Sequence, residues 1–175
     1  MMKTRSSVFG SAALSIIFIL SPGLGLGFQE EITLQQKAIK ADLILVGKVT
    51  DAETREEPKG MIYTYITVSI EENIKGNPGK DKIIIRVTGG EVDGIAAIWE
   101  GMPSFSKGER VLVFLLQDLR FSPDCFFLVR GNQGKYSIAP NNIVLSIGKP
   151  LPEFVDEIRR YISISSWFLF RCFAY

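Results

Sequence analysis

The segment Met61–Gly76, MIYTYITVSIEENIKG, constrains the fold more than any other. Ile62, Thr64, Ile66, Val68 and Ile70 stand at every second position, with Tyr63, Tyr65 and Thr67 between them. A period of two puts the first set on one face of a strand and the second set on the other. A helix would scatter both. The β-branched and aromatic residues suit a pleated, half-buried surface. A strand this long can bend and serve two sides of a closed sheet.

The neighbouring segments supply its partners. From Asp42, the residues Leu43, Ile44, Leu45, Val46 and Val49 read as a first strand, and the polar DAETREEPKG after it as a hairpin loop with Pro58 and Gly60. GNPGK is a turn, DKIIIRV a third strand, RVLVFLL a fourth and CFFLVRGN a fifth. GKYSI and NIVLSI add a short final hairpin around Pro140, Asn141 and Asn142. Ile32, Leu34, Ala38 and Ile39 share one face of a short helix that Thr33 can cap. LPEFVDEIRRYI reads as a second helix: Pro152, Glu153 and Asp156 suit its start, and Arg159 and Arg160 its end. Strands do not alternate with long helices, so a parallel α/β sheet is not expected. The reading is a five-stranded antiparallel barrel over about 41–147, which removes exposed edges, with a helix before and after it.

Residues 1–27 are read as a leader rather than part of the fold. Lys3 and Arg5 precede an apolar stretch from Val8 to Leu20; Ser21, Pro22 and Gly23 break it; Gly25 and Gly27 stand where a signal peptidase prefers small residues. The expected destination is secreted or extracytoplasmic, and the alternative is a membrane anchor formed by an uncleaved leader. The domain then covers 28–162. Residues 163–175, with Trp167, Phe168, Phe170, Phe173 and Tyr175, form an apolar tail of uncertain order. It could extend the helix, lie on a membrane surface, or add nothing to the fold.

Charge and residue types exclude much chemistry. Without the leader, 18 basic residues stand against 19 acidic ones, which gives no electrostatic case for nucleic acid. The chain has no histidine, which removes the Ser-His and Cys-His nucleophile pairs and most metal sites. Of the two cysteines, Cys125 begins an apolar strand and is expected to be a buried thiol. Its pairing with Cys172 is left open.

The stretch Gly89–Gly108 holds the candidate site. Glu91, Asp93 and Glu100 could offer oxygen ligands to calcium, but their spacing matches no EF-hand and loop acids are commonly just solvated. No cofactor, metal or catalytic residue is therefore assigned. Trp99, Met102 and Phe105 flank Pro103; they either plug one end of the barrel or offer a partner-binding face together with Glu91 and Asp93. The expectation is a long irregular connection with its aromatics at least half buried. If Trp99 were fully packed, Trp99→Ala would cost about 3–5 kcal/mol.

ADLILVGKVT, YTYITVSIEENIKG, RVTGGEVDGI, PSFSKGERVLVFL and FLVRGNQGKYSI together resemble an uncharacterised family of small exported bacterial proteins. Shared features are an Ala-Asp-Leu strand, a Tyr-x-Tyr strand ending in Lys-Gly, a Gly-Gly loop, and Pro-x-Phe-x-x-Gly-Glu before a hydrophobic strand. More remotely, the order resembles the netrin-like module of the tissue inhibitors of metalloproteinases, which implies an OB-like barrel. That resemblance does not carry the inhibitors' zinc chelation, which uses a Cys at the mature N-terminus; here no Cys precedes Cys125. The functional expectation is an exported, non-catalytic, protein-binding module whose partner is another exported or envelope protein. The alternatives are a hydrolase using carboxylates alone and a structural envelope-associated protein. Nucleic acid is not expected as a partner, and membrane contact only through an uncleaved leader or the tail.

Overall fold

The structure is a computed structural model and describes residues 31–58, 60–119 and 125–172, with side chains of the last helix as far as Ile164. The leader expected over 1–27 lies outside these residues. The described chain opens with α1 (Leu34–Lys40), started by a reciprocal cap. The Gln36 N–H donates to Thr33 Oγ1 and the Thr33 N–H donates to Gln36 Oε1. Then come β1 (Leu43–Glu57), β2 (Met61–Lys75), β3 (Lys82–Thr88), β4 (Gly90–Val92) and β5 (Ile95–Ala97). These are followed by β6 (Arg110–Gln117), β7 (Cys125–Leu128), a single 3-10 turn at Gly131–Gly134, and β8 (Lys135–Ile138). β9 (Ile143–Val144) and β10 (Lys149–Pro150) lead into α2 (Leu151–Cys172). The protein is mainly β, with one helix near each end, as the sequence indicated.

The strands of the main sheet are ordered β1-β2-β3-β7-β6-β8-β9-β10, and β6 pairs with β1 as well. β1 therefore has a neighbour on each side: β2 from Ile44 to Glu57, and β6 from Leu43 to Lys48. One pair, β3 with β7, is parallel, matching Ile84 to Cys125 and Ile85 to Phe126. A wholly antiparallel arrangement was expected and is corrected here for a geometric reason. Pairings that return to their first strand after five steps cannot alternate direction at every step, so one of them must be parallel.

The two kinds of apolar pattern now separate. β1 and β6 carry continuous apolar runs because both of their faces are covered. Ile44, Val46, Leu112 and Phe114 point to a cluster with Ala38 of α1 and Phe154, Val155 and Ile158 of α2. The alternate residues Leu43, Leu45, Val111, Val113 and Leu115 point to a second cluster with Ile66, Val68, Ile83, Ile85, Phe126 and Leu128. β2 and β3 feed mainly the second cluster and so alternate, which leaves Ile84 exposed, while Ile74 near the end of β2 packs against the first. Burial of each large side chain such as Phe114 contributes about 1.5–3 kcal/mol. β1 bends at three register shifts, beginning at Ile44. Gly47 allows the close approach there, since a Cβ would lie 2.6 Å from the Ser69 carbonyl oxygen.

Three local expectations change. β1 continues through DAETREE to Glu57 and β2 begins at Met61, so most of the expected hairpin loop is strand. A two-stranded ladder satisfies the backbone of this polar stretch without any apolar face, and the sequence pattern could not register that. In α1, Ile39 is exposed while Lys37 is buried. The Lys37 stem packs inward and its ammonium donates to Tyr136 Oη at 2.8 Å. α2 remains helical to Cys172 instead of ending near Ile162. The side chains of Trp167, Phe170 and Cys172 lie outside the described residues; Cys125, whose pairing with Cys172 was left open, is a free thiol.

The motif residues meet at a joint. Lys75 donates to the carbonyls of Ala38, Ile39 and Ala41 at 2.6–2.9 Å, which places a cation at the C-terminus of α1. The Asp42 carboxylate accepts the Gln117 N–H at 3.0 Å. Gly76 has φ +81 and lies against the Asp42 carbonyl, so a side chain there would collide with it. The Ala-Asp and Lys-Gly pairs thus fasten the first helix to the sheet.

Candidate binding cleft

The first part of the stretch Gly89–Gly108 is a hairpin. Val92-Asp93-Gly94-Ile95 makes a two-residue hairpin turn joining β4 and β5, with φ of 51° at Asp93 and 79° at Gly94. Two consecutive positive φ values are what a type I′ turn requires, and Asp-Gly is a favoured pair for it. This replaces the expected irregular connection over Gly90–Ala97, whereas the chain from Ile98 to Glu109 has no strand or helix, as expected. The hairpin lies against the β1–β2 ribbon. The Gly89 N–H donates to the Ile62 carbonyl at 2.8 Å, and Thr64 Oγ1 donates to the Gly89 carbonyl at 2.7 Å. Gly90, at φ +135, sits so close to Thr54 and Thr64 that any Cβ would strike both.

The chain after β5 is held by its backbone. The Met102 N–H donates to the Trp99 carbonyl at 3.2 Å, and the Asn132 N–H to the Gly101 carbonyl at 2.8 Å. Lys135 donates to the Ser104 carbonyl at 2.6 Å. Glu109, from the Gly-Glu pair, accepts from Lys135, from Ser137 Oγ at 2.6 Å and from the Ser106 N–H at 3.1 Å. Burial alone would raise the Glu109 pKa. The Lys135, Ser137 and Ser106 hydrogen bonds and the Lys135 charge outweigh it and hold the carboxyl below its ordinary value.

Between the hairpin and Met102–Phe105 lies a cleft of about 360 Å³. Its floor is Thr64, Ile66, Val87 and Thr88. Of the five residues singled out from sequence, Glu91, Trp99, Met102 and Phe105 line this cleft, and Asp93 stands apart at the hairpin turn. Phe105 packs on the second core cluster and under the Lys135 ammonium, 4.5 Å from its ring centre. Trp99 is 50% exposed and Met102 is exposed. The plug expected of this loop is therefore supplied by Phe105 and not by the other two. Beside them Ile98 is 93% exposed and Ile95 is also open to solvent. Sequence reading passed over Ile98, although IAAIW is the most apolar run of the stretch.

Other candidates are already engaged. A second cleft of about 220 Å³ contains Tyr63, Arg86 and Asp118. There the Arg86 guanidinium bonds Asp118 at 2.9 Å and lies 4.6 Å over the Tyr63 ring. The Tyr65 hydroxyl donates to the Glu57 carboxylate, and Arg55 stacks over the Tyr65 ring at 4.8 Å. The Tyr63 and Tyr65 rings thus have occupants from their own chain. Cys125 is a free, buried thiol, and desolvation pushes its pKa up. A protonated thiol in such a place is a poor nucleophile.

Among the described residues, no group of three or more His, Cys, Asp or Glu is placed to hold a metal ion. Among the same residues, no helix is long and apolar enough to cross a membrane. The arrangement can seat an apolar side chain between Trp99, Met102 and Phe105, with polar groups of Thr64 and Glu91 in its lining. In comparisons with known proteins, the chain matches no protein-family model and no curated protein.

Proposed function

We propose that this protein is an exported, non-catalytic binding module on an OB-like barrel, and that it binds another exported or envelope protein through the cleft and the hairpin beside it. The observation that carries this reading is the cluster Ile95, Ile98, Trp99 and Met102, exposed together beside an apolar cleft on a backbone held by hydrogen bonds. Apolar groups grouped in this way, on a preorganised scaffold, favour protein association. The barrel is supported by the return of the pairings from β6 to β1 and by the core cluster enclosed between those strands. One parallel pair among five strands is compatible with an OB-like order, and so with the netrin-like resemblance. Export is supported by the three-part pattern of residues 1–27.

A photo-crosslinking side chain at position 98, in cells exporting the full chain, tests the reading. The expected result is one discrete adduct with an exported protein, absent when the probe sits at Leu145, which is also exposed. Equal labelling from both positions, or none from 98, sinks the binding role. A reporter fused after residue 35 that stays in the cytoplasm sinks the export.

A further inference from the structure

The charge around the cleft is one-sided. Two segments meet at this end of the molecule, Asp51–Pro58 and Gly89–Lys107, joined by Gly90 against Thr54 and by the Lys107–Asp51 contact at 3.8 Å. Together they carry seven acidic residues against two basic ones, Arg55 and Lys107, or three if Lys59, next in the sequence, is counted. Arg55 is bonded to Glu53. Glu91 lines the cleft, and Asp93 and Glu100 stand on the same hairpin and the loop after it; all three are exposed, and none has an ion-pair partner among the described residues. The rest of the chain compensates, so this polarity is local and not an effect of net charge. β5 also ends its two-stranded sheet, with β4 on one side and an open edge on the other.

We propose that the cleft receives an extended, basic segment of a partner protein. One bulky apolar side chain of that segment sits between Trp99, Met102 and Phe105, and its lysines or arginines lie beside Glu91, Asp93 and Glu100. The proposal rests on the reading of this face as a binding surface and adds the chemistry of what binds. Acidic residues around an apolar pocket steer a cation-rich partner and exclude an acidic one. An open strand edge offers main-chain hydrogen bonds to an extended segment. A second copy presenting the same face would set like charges against each other, and the phosphates of a nucleic acid or an anionic lipid surface would be repelled.

Selection of random dodecapeptides displayed on phage against the full chain tests this. The expected peptides carry Lys or Arg on both sides of an aromatic or branched apolar residue. Binding of the strongest one, made synthetically, should weaken at least tenfold in the Glu91→Gln, Asp93→Asn, Glu100→Gln variant. It should weaken at least tenfold in Ile98→Asp, and also as salt is raised. All four positions are exposed, and both variants should melt with the parent. Peptides that lose binding in Ile98→Asp, carry no basic residues and ignore the neutralised variant would overturn the basic-segment inference and leave the binding face standing. No enrichment, or enriched peptides indifferent to both variants, would overturn both.

Discussion

Glu109 holds its carboxylate 2.8 Å from the Lys135 ammonium, and both side chains are less than one-fifth exposed. The pair ties the loop that lines the cleft to β8. Lys135→Met leaves the carboxylate partly buried without its cation and should cost about 2–3 kcal/mol, less than for a fully dry pair. Because the folded carboxyl titrates below its ordinary value, its contribution is complete above the unfolded pKa and is lost as pH falls through the folded one. Urea midpoints measured from neutral pH down to about pH 3 should therefore fall more steeply in the parent than in Glu109→Gln. Parallel curves would show that the pair does not carry this acid sensitivity.

Gly90 and Gly79 both have positive φ, but their surroundings differ. A Cβ at Gly90 meets Thr54 and Thr64, whereas one at Gly79 meets nothing within 4 Å. Gly79→Ala should cost about 1 kcal/mol, from backbone conformation alone. Gly90→Ala should cost about 3 kcal/mol or displace the hairpin from the ribbon, because steric conflict is added to the strain. Equal losses in chemical denaturation would mean that the hairpin is not seated as described.

Much of this architecture was legible where periodicity is strong. The alternation in Met61–Lys75 placed β2, and Thr33 was legible as the cap that starts α1. Patterns failed where hydrogen bonding, and not burial, sets the structure. The polar half of β1 pairs residue for residue with β2, as Thr54 does with Thr64, without an apolar stripe to betray it. The Asp93-Gly94 turn was present in the sequence as a hairpin signal, but the strands on either side are three residues each and too short to show a period. The candidate site was half legible. Trp99, Met102 and Phe105 could be named from composition, yet their separation into one packed ring and two exposed side chains depends on the hairpin beneath them. Lys37 and Ile39 exchange their expected places because α2 and Tyr136 cover one side of α1, a tertiary choice that no single segment encodes.

Trp99 has lost only half of its surface to its surroundings. The 3–5 kcal/mol expected for a fully packed tryptophan should therefore shrink to about 1–2 kcal/mol in Trp99→Ala. Ile98→Asp, at a position almost wholly in solvent, should change stability by less than about 0.5 kcal/mol. Thermal and urea unfolding of both variants checks this. A loss above 3 kcal/mol in Trp99→Ala would return the side chain to the role of a plug and remove it from the binding surface.

α2 is anchored by its first three turns. Leu151, Phe154, Val155 and Ile158 follow the spacing of a single helical face and are buried, and Tyr161 and Ile162 pack at the margin of the same cluster. Arg159 adds a bond to Glu72 of β2 at 2.7 Å. Beyond this point Ser163 and Ile164 are exposed. Removal of residues 165–175 should therefore leave every described core contact in place and shift Tm by no more than about 2 °C, within the range of a surface change. Ile158→Ala, by contrast, empties a fully buried site and should cost about 2–5 kcal/mol. Comparing the two by thermal unfolding separates the anchoring turns from the extension. A truncated chain that melts as low as Ile158→Ala would place part of the structural core within residues 165–175.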